Sequence, residues 1–286
     1  MTTTSPPRSV PSLAAVMQRA GGENFPVASR LLPGHLRRHL HNIYGFARLT
    51  DQLGDYAEGD RLALLDWLDG EVDAVYSGGL PSHDVMRRIV PTVLRYSIPE
   101  TPFRALINAN RQDQTVKRYA TYEELAAYCE LSANPVGHLV LYVFEAATPE
   151  RFWLSDMICT ALQLTEHWQD VAEDYQMDRV YLPLEDFERF DCSVDAIAQR
   201  QPTSEFRALM QFEVDRAWGL FDQGATLVRT LPGVRGMAIA AFIEGGRAAL
   251  HAIRLADYNV LTDSPRPNAR AKARAALRVL RLALDW

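Results

Sequence analysis

The chain has 286 residues, of which 48% are hydrophobic and 23% charged, and its formal net charge is −6. That length can bury a substantial core in one large domain or two modest ones, and the acidic balance argues against a general nucleic-acid binder. Cys129, Cys159 and Cys192 lie far apart with no CxxC pair, so they read as reduced thiols of a cytosolic protein and suggest neither a zinc site nor a disulfide framework.

Residues 1–12, MTTTSPPRSVPS, are polar and proline-rich and lack the apolar core of a signal peptide. The reading is a flexible arm over 1–20, followed by one domain over 21–286. Helical periodicity then dominates. In LRRHLHNIYGFARLTDQL, Leu36, Leu40, Ile43, Tyr44 and Ala47 recur at spacings of three and four and mark one apolar face. Similar patterns follow in RLALLDWLDGEVDAVY, DVMRRIVPTVLRY, TYEELAAYCELSANPVGHLVLYVFEAA, PERFWLSDMICTALQLTEHWQDVAEDY, SEFRALMQFEVDRAWGLFDQGATLVRTL and VRGMAIAAFIEGGRAALHAIRLADY.

Thr148-Pro149-Glu150 reads as a helix start, and Gly78-Gly79 as a helix end. Pro135 lies inside the TYEELAAY pattern and either kinks that helix or marks a boundary between two. No segment alternates with period two for long enough to make a strand, VYLPL being too short, and no internal repeat is visible. The expected fold is an all-α, single-domain bundle. GMAIAAFIEGGRAALHAI is interrupted by Glu244, Arg247 and His251, so nothing is expected to span a bilayer. The basic, amphipathic run ARAKARAALRVLRLAL reads as the last packing helix, or as a peripheral contact at the inner membrane face of an otherwise cytoplasmic protein.

Two acidic clusters interrupt these helices. EHWQDVAED, residues 166–174, places Glu166, Asp170 and Asp174 at i, i+4 and i+8. Like charges so spaced weaken an isolated helix by a few tenths of a kcal/mol per pair. ARLTDQLGD, residues 47–55, places Asp51 and Asp55 at i, i+4 beside Arg48. Spacing alone leaves two readings open. One is a pair of solvated helix faces. The other is a carboxylate-lined mouth in which Mg²⁺ bridges protein oxygens to a diphosphate and eases its departure. HLRRH lacks the glutamate of a zinc-protease motif, and the chain contains no GxxxxGK, GxGxxG or GxSxG.

Taken in order, these stretches resemble the squalene and phytoene synthase family over residues 23–258. NFPVASRLLPGHLRRHLHNIYGFARLTDQLGD resembles the family's opening, RYATYEELAAYCELSANPVG its middle helix with the YC pair, and QLTEHWQDVAED followed by RVYLP its second aspartate motif. The resemblance implies an all-α isoprenoid-synthase fold with a central apolar cavity, and Mg²⁺ as cofactor. By that likeness Asp51, Asp55, Glu166, Asp170 and Asp174 would hold metal. Tyr44, Arg48, Gln163, Arg179 and Asn134 would contact substrate, and Tyr128 would serve the catalytic step.

Departures refine this expectation. Where the family's second motif usually reads NILRDVGED, this chain has Glu166 for the asparagine and Gln169 for the arginine. GGEN stands where a serine-rich stretch is usual, and Gly246 falls near a position where a tyrosine is expected. Fewer groups that hold phosphate suit one diphosphate better than two. The pattern, with SANPVG, is similar to hydroxysqualene synthases of bacterial hopanoid pathways. They ionise presqualene diphosphate and capture the rearranged cation with water, and Ser132 or Asn134 would position that water. The alternatives are head-to-head condensation of two farnesyl diphosphates, or a catalytically inert relative acting as a partner.

Overall fold

The structure, a computed structural model, describes residues 6–7, 9–18 and 32–284, with side chains as far as Arg281. The GGEN stretch lies outside the described residues. These residues are overwhelmingly helical, and they divide into two compact units, 1–115 with 134–152 and 116–133 with 153–286.

The first unit is built around α2 (Gly34–Asp51). Leu36, Leu40 and Ile43 of the expected stripe are buried, but the buried face continues through Phe46 and Leu49, while Tyr44 and Ala47 stay partly exposed. α1 (Leu13–Gln18) packs on it through Val16, and the Pro11 carbonyl meets His83 Nε2 at 3.0 Å. Part of the expected arm is thus folded. The apolar face of α2 was visible in the sequence, but its complement in α1, with one buried residue, is too short to show a period.

α3 (Arg61–Tyr76) starts where the Asp60 carboxylate accepts the Ala63 N–H. α4 (Asp84–Tyr96), α5 (Thr101–Gln112) and α7 (Asn134–Val143) pack against α2. The last helix of this group follows α6 (Tyr122–Ser132), which belongs to the second unit. Ala133 ends α6 at φ −116°, and Pro135 falls in the first turn of α7. Of the two readings of Pro135, the structure shows the boundary: a missing N–H is harmless there.

In the second unit α6 is followed by α8 (Pro149–Gln169), which starts where Thr148 Oγ1 accepts the Arg151 N–H and leaves its first residues in the first unit. α9 (Val171–Gln176), α10 (Leu184–Arg189) and α11 (Asp195–Ala198) are short. The long α12 (Ser204–Gly224) and α14 (Val234–Leu255) pack together, with α13 (Leu227–Thr230) between them in sequence and α15 (Ala269–Leu284) on the outside of α14. Among the described residues no strand forms. The VYLPL stretch contributes an isolated parallel bridge between Val180 and Arg118, with the Val180 N–H donating to the Lys117 carbonyl at 3.0 Å. No helix among the described residues is long and apolar enough to cross a membrane.

Candidate functional site

In the first unit the candidate residues lie along one half-buried stripe. Tyr44, Arg48 and Asp51 follow each other along α2 and stay partly exposed while Ile43, Phe46 and Leu49 turn inward. Asp51 ends α2, and Asp55 belongs to a π-helical turn, Gln52–Tyr56, closed by the Ala57 N–H on the Gln52 carbonyl at 2.9 Å. This departs from the expected uniform helix. The cause is packing: a Cβ on Gly54 would stand 2.0 Å from Asn110 Oδ1, and Gln114 Nε2 donates to the Gly54 carbonyl at 3.0 Å. α5 therefore sits directly against the widened turn, and such turns recur where a helix is adapted to function.

In the second unit the uniform i, i+4, i+8 stripe is also interrupted. α8 stops at Gln169, and Asp170 leaves the helical region at φ −108°, ψ 15° before α9 begins. The structure separates the three acids by environment. Glu166 is exposed, whereas Asp170 and Asp174 are half-buried. Asp170 Oδ1 accepts bonds from the Ser264 hydroxyl at 2.9 Å and from Arg266 Nη2 at 2.6 Å. Asp174 instead faces His167 Nδ1 at 3.7 Å.

Gln163, one turn before His167, donates its amide nitrogen to His167 Nε2 at 3.0 Å. With that nitrogen accepting, the ring proton sits on Nδ1, the side that faces Asp174. The His167 ring stacks on Tyr181, their centroids 3.6 Å apart. Tyr128 lies 5.8 Å from Tyr181 and 5.5 Å from Tyr119 in the same aromatic group. Arg179 follows Asp178, which takes the left-handed φ of 60° and turns the chain back, so that the Arg179 N–H reaches the Asp174 carbonyl at 2.9 Å. His167, Asp174, Arg179 and Tyr181 consequently line one small pocket.

The second unit thus gathers Tyr128, Gln163, Asp174 and Arg179 and holds Asp170 against the 264–266 segment, with Glu166 exposed. Asn134 is buried at the start of α7 in the first unit. Ser132, at the end of α6, buries its hydroxyl without a hydrogen-bond partner. His167, Tyr119, Tyr181, Ser264 and Arg266 were not anticipated. His167 stood inside the quoted EHWQDVAED, but a histidine at helical spacing carries no signal of its partners. Arg266 is distant in sequence, and its Ser-Pro-Arg-Pro setting reads only as a turn.

Gly246 lies where the family pattern suggested a tyrosine. A Cβ there would come within 2.2 Å of Phe221 Cζ, so the α12–α14 contact occupies the space a side chain would need. Behind α8, the Trp168 indole donates to the Glu213 carbonyl at 3.2 Å. Glu213 is fully buried, and its carboxylate and that of Asp186 both reach Arg216 at 2.8 Å. Burial pushes the Glu213 carboxyl up to about 8, with the hydrogen bond and negative charge of Asp186 adding to the rise and Arg216 opposing it. Desolvation likewise pushes the Cys129 thiol up to about 12, which makes it an inert packing group. The described cysteines are free.

Among the described residues no three His, Cys, Asp or Glu side chains form a ready metal cage. Mg²⁺ does not require one, since it is commonly held by one or two carboxylates, water and substrate phosphate. Within each unit a pair of half-buried aspartates, Asp51 with Asp55 in the first and Asp170 with Asp174 in the second, offers carboxylates of that kind, and Glu166 is exposed.

The Squalene/phytoene synthase family model matches residues 18–276. The chain belongs to the squalene/phytoene synthase family. Within the family, it is 30% identical over 278 residues to a 15-cis-phytoene synthase of Synechocystis, covering 92% of this chain and 80% of that protein. It is 31% identical over 221 residues to a hydroxysqualene synthase of Sinorhizobium fredii, covering 74% of this chain and 73% of that one. Its fold matches the crystal structure of squalene synthase HpnC from Alicyclobacillus acidocaldarius with a TM-score of 0.80 and 40% identity, over 85% of this chain and 92% of that one. Family membership makes this an isoprenoid-diphosphate-processing enzyme with the all-helical isoprenoid-synthase fold.

Proposed function

We propose that the protein is a hydroxysqualene synthase: it ionises presqualene diphosphate, lets the cyclopropylcarbinyl cation rearrange, and captures it with water to give hydroxysqualene and diphosphate. The observation that carries this reading is the fate of Gln169. Where the family usually has an arginine, this residue is a neutral amide, only 1% exposed, donating to the Pro265 carbonyl and accepting from Arg266 Nη1 at 3.2 Å. A second motif that turns its amide inward offers less to a pair of diphosphates than to one. Likeness to the hydroxysqualene synthase supports the same choice.

In this reading Asp51, Asp55, Asp170 and Asp174 would hold Mg²⁺, which when bound supplies the positive charge that stabilises the departing diphosphate. Arg48 and Arg179 would add fixed charge, and Tyr44 a hydrogen bond. The C–O bond to diphosphate breaks with its electron pair on the leaving oxygen. The faces of Tyr119, Tyr128 and Tyr181 would stabilise the cation and keep bulk water away. One water forms the new C–O bond and releases a proton. Ser132 lies one turn from Tyr128 on α6, and its buried hydroxyl is suited to aim that water.

Purified protein supplied with Mg²⁺ and either presqualene diphosphate or farnesyl diphosphate tests the reading. Hydroxysqualene from the first substrate and no C30 product from the second is expected. Turnover of farnesyl diphosphate would replace it with head-to-head condensation, the reading favoured by the likeness to the phytoene synthase. Hopanoid synthesis is the corresponding pathway placement.

A further inference from the structure

We propose that the outward face of α15 is a docking surface for an anionic lipid bilayer. The helix carries Arg270, Lys272, Arg274, Arg278 and Arg281 and no acid, in a chain whose net charge is −6. Its inner face is set by Val279, which is buried, while Arg278 turns back to Glu244 of α14 at 3.2 Å. Opposite, the stripe Arg270, Arg274, Leu277 and Arg281 is exposed at helical spacing, with Leu280 beside it. Leu277 is 56% exposed and Leu280 51%. A single exposed leucine is ordinary, but two set among exposed cations that form no ion pair with a described residue are not.

The mixture selects the partner. A soluble polyanion has no use for the leucines. A second copy of the same face would bring cations against cations. A bilayer with anionic headgroups accepts both, with the arginines among the phosphates and the leucines at the acyl boundary. The placement also has a use. Residues 264–266 are bonded to Gln169 and Asp170, and α15 begins three residues further on. A docked α15 therefore holds the second aspartate motif close to the membrane surface, where long-chain isoprenoids partition. This inference goes beyond the reaction proposed above and does not depend on which isoprenoid diphosphate is used.

Flotation of the full-length protein with vesicles tests it directly. Binding is expected with phosphatidylglycerol mixed into phosphatidylcholine, not with phosphatidylcholine alone, and should weaken as salt shortens the screening length. Each basic residue at such a surface is worth about fivefold in partitioning. Arg274→Glu with Arg281→Glu should therefore lower binding by at least about 100-fold. Leu277→Ser with Leu280→Ser should lower it by at least about tenfold, and Arg274→Lys with Arg281→Lys should retain it. Thermal melts by circular dichroism identify any variant that fails to fold, and the Ser pair still decides the outcome if the Glu pair does. The proposal is overturned if the parent does not float with anionic vesicles, if it floats equally with neutral ones, or if folded Glu and Ser variants float like the parent. It is overturned too if size-exclusion chromatography shows a dimer that only the face variants dissolve.

Discussion

His167 takes the Gln163 amide on one ring nitrogen and turns the other toward Asp174, 3.7 Å away, while its face rests on Tyr181. Groups that orient a carboxylate are commonly worth 10–100-fold in metal affinity. His167→Phe keeps the stacked ring and removes both polar contacts. The Mg²⁺ concentration for half-maximal diphosphate release should accordingly rise by about tenfold or more, with the melting temperature within a few degrees of the parent. Asp51→Ala should reduce diphosphate release by at least about 100-fold, on the scale of losing an electrostatic group at a leaving charge. An inert relative acting as a partner would show no release to lose. At this scale the acids were legible, because four carboxylates in nine residues of an apolar helix demand an explanation. Their distinct surroundings were not. The Arg266–Asp170 and Gln163–His167 contacts depend on side-chain directions that spacing does not encode, and Glu166 looked equivalent to its neighbours until burial separated them.

Helix existence followed from periodicity nearly everywhere, since buried faces such as that of α2 repeat over several turns. The interruptions did not follow. The π turn after Asp51 and the break at Asp170 each fall on an aspartate motif, where local preference gives way to packing on a neighbour. Gly54 carries the first of these. Gly54→Ala would drive a methyl into Asn110, and the turn must shift or α5 must retreat. A loss of stability of about 1–3 kcal/mol is expected, measurable by urea unfolding, with reduced turnover from a displaced Asp55. Gly246→Ala meets Phe221 in the same way and should destabilise by a similar amount, about 1–3 kcal/mol. The atoms it would meet belong to Phe221 and Leu162 rather than to either aspartate motif, so its folded fraction should keep its turnover.

For the whole molecule, charge couples to stability through the core beneath α8. Glu213 is faced by Arg216 on its own helix, Asp186 from α10 and the Tyr122 ring of α6, over which Arg216 lies at 4.1 Å. Its carboxyl is raised from 4.5 to about 8. The folded state therefore binds the proton more tightly than the unfolded chain does. The associated stability is full below pH 4.5 and is lost as pH climbs through 8. Glu213→Gln carries no such proton, so between pH 5 and 8.5 the parent's melting temperature should fall by several degrees relative to the variant's. Nothing in the sequence marked Glu213 as different from the other glutamates, since burial of a carboxylate is a property of the assembled helices.

The two units are interleaved along the polypeptide, because the first takes residues 134–152 after the second has already claimed 116–133. α7, which packs on α2, α4 and α5, is thus translated after a segment belonging elsewhere. A nascent chain truncated at residue 115 would have its amino-terminal helices but not the helix that completes them. No single backbone cleavage yields either unit whole. Folding on the ribosome must leave the first unit unfinished until residue 152 has emerged, with α6 waiting alongside for partners not yet made.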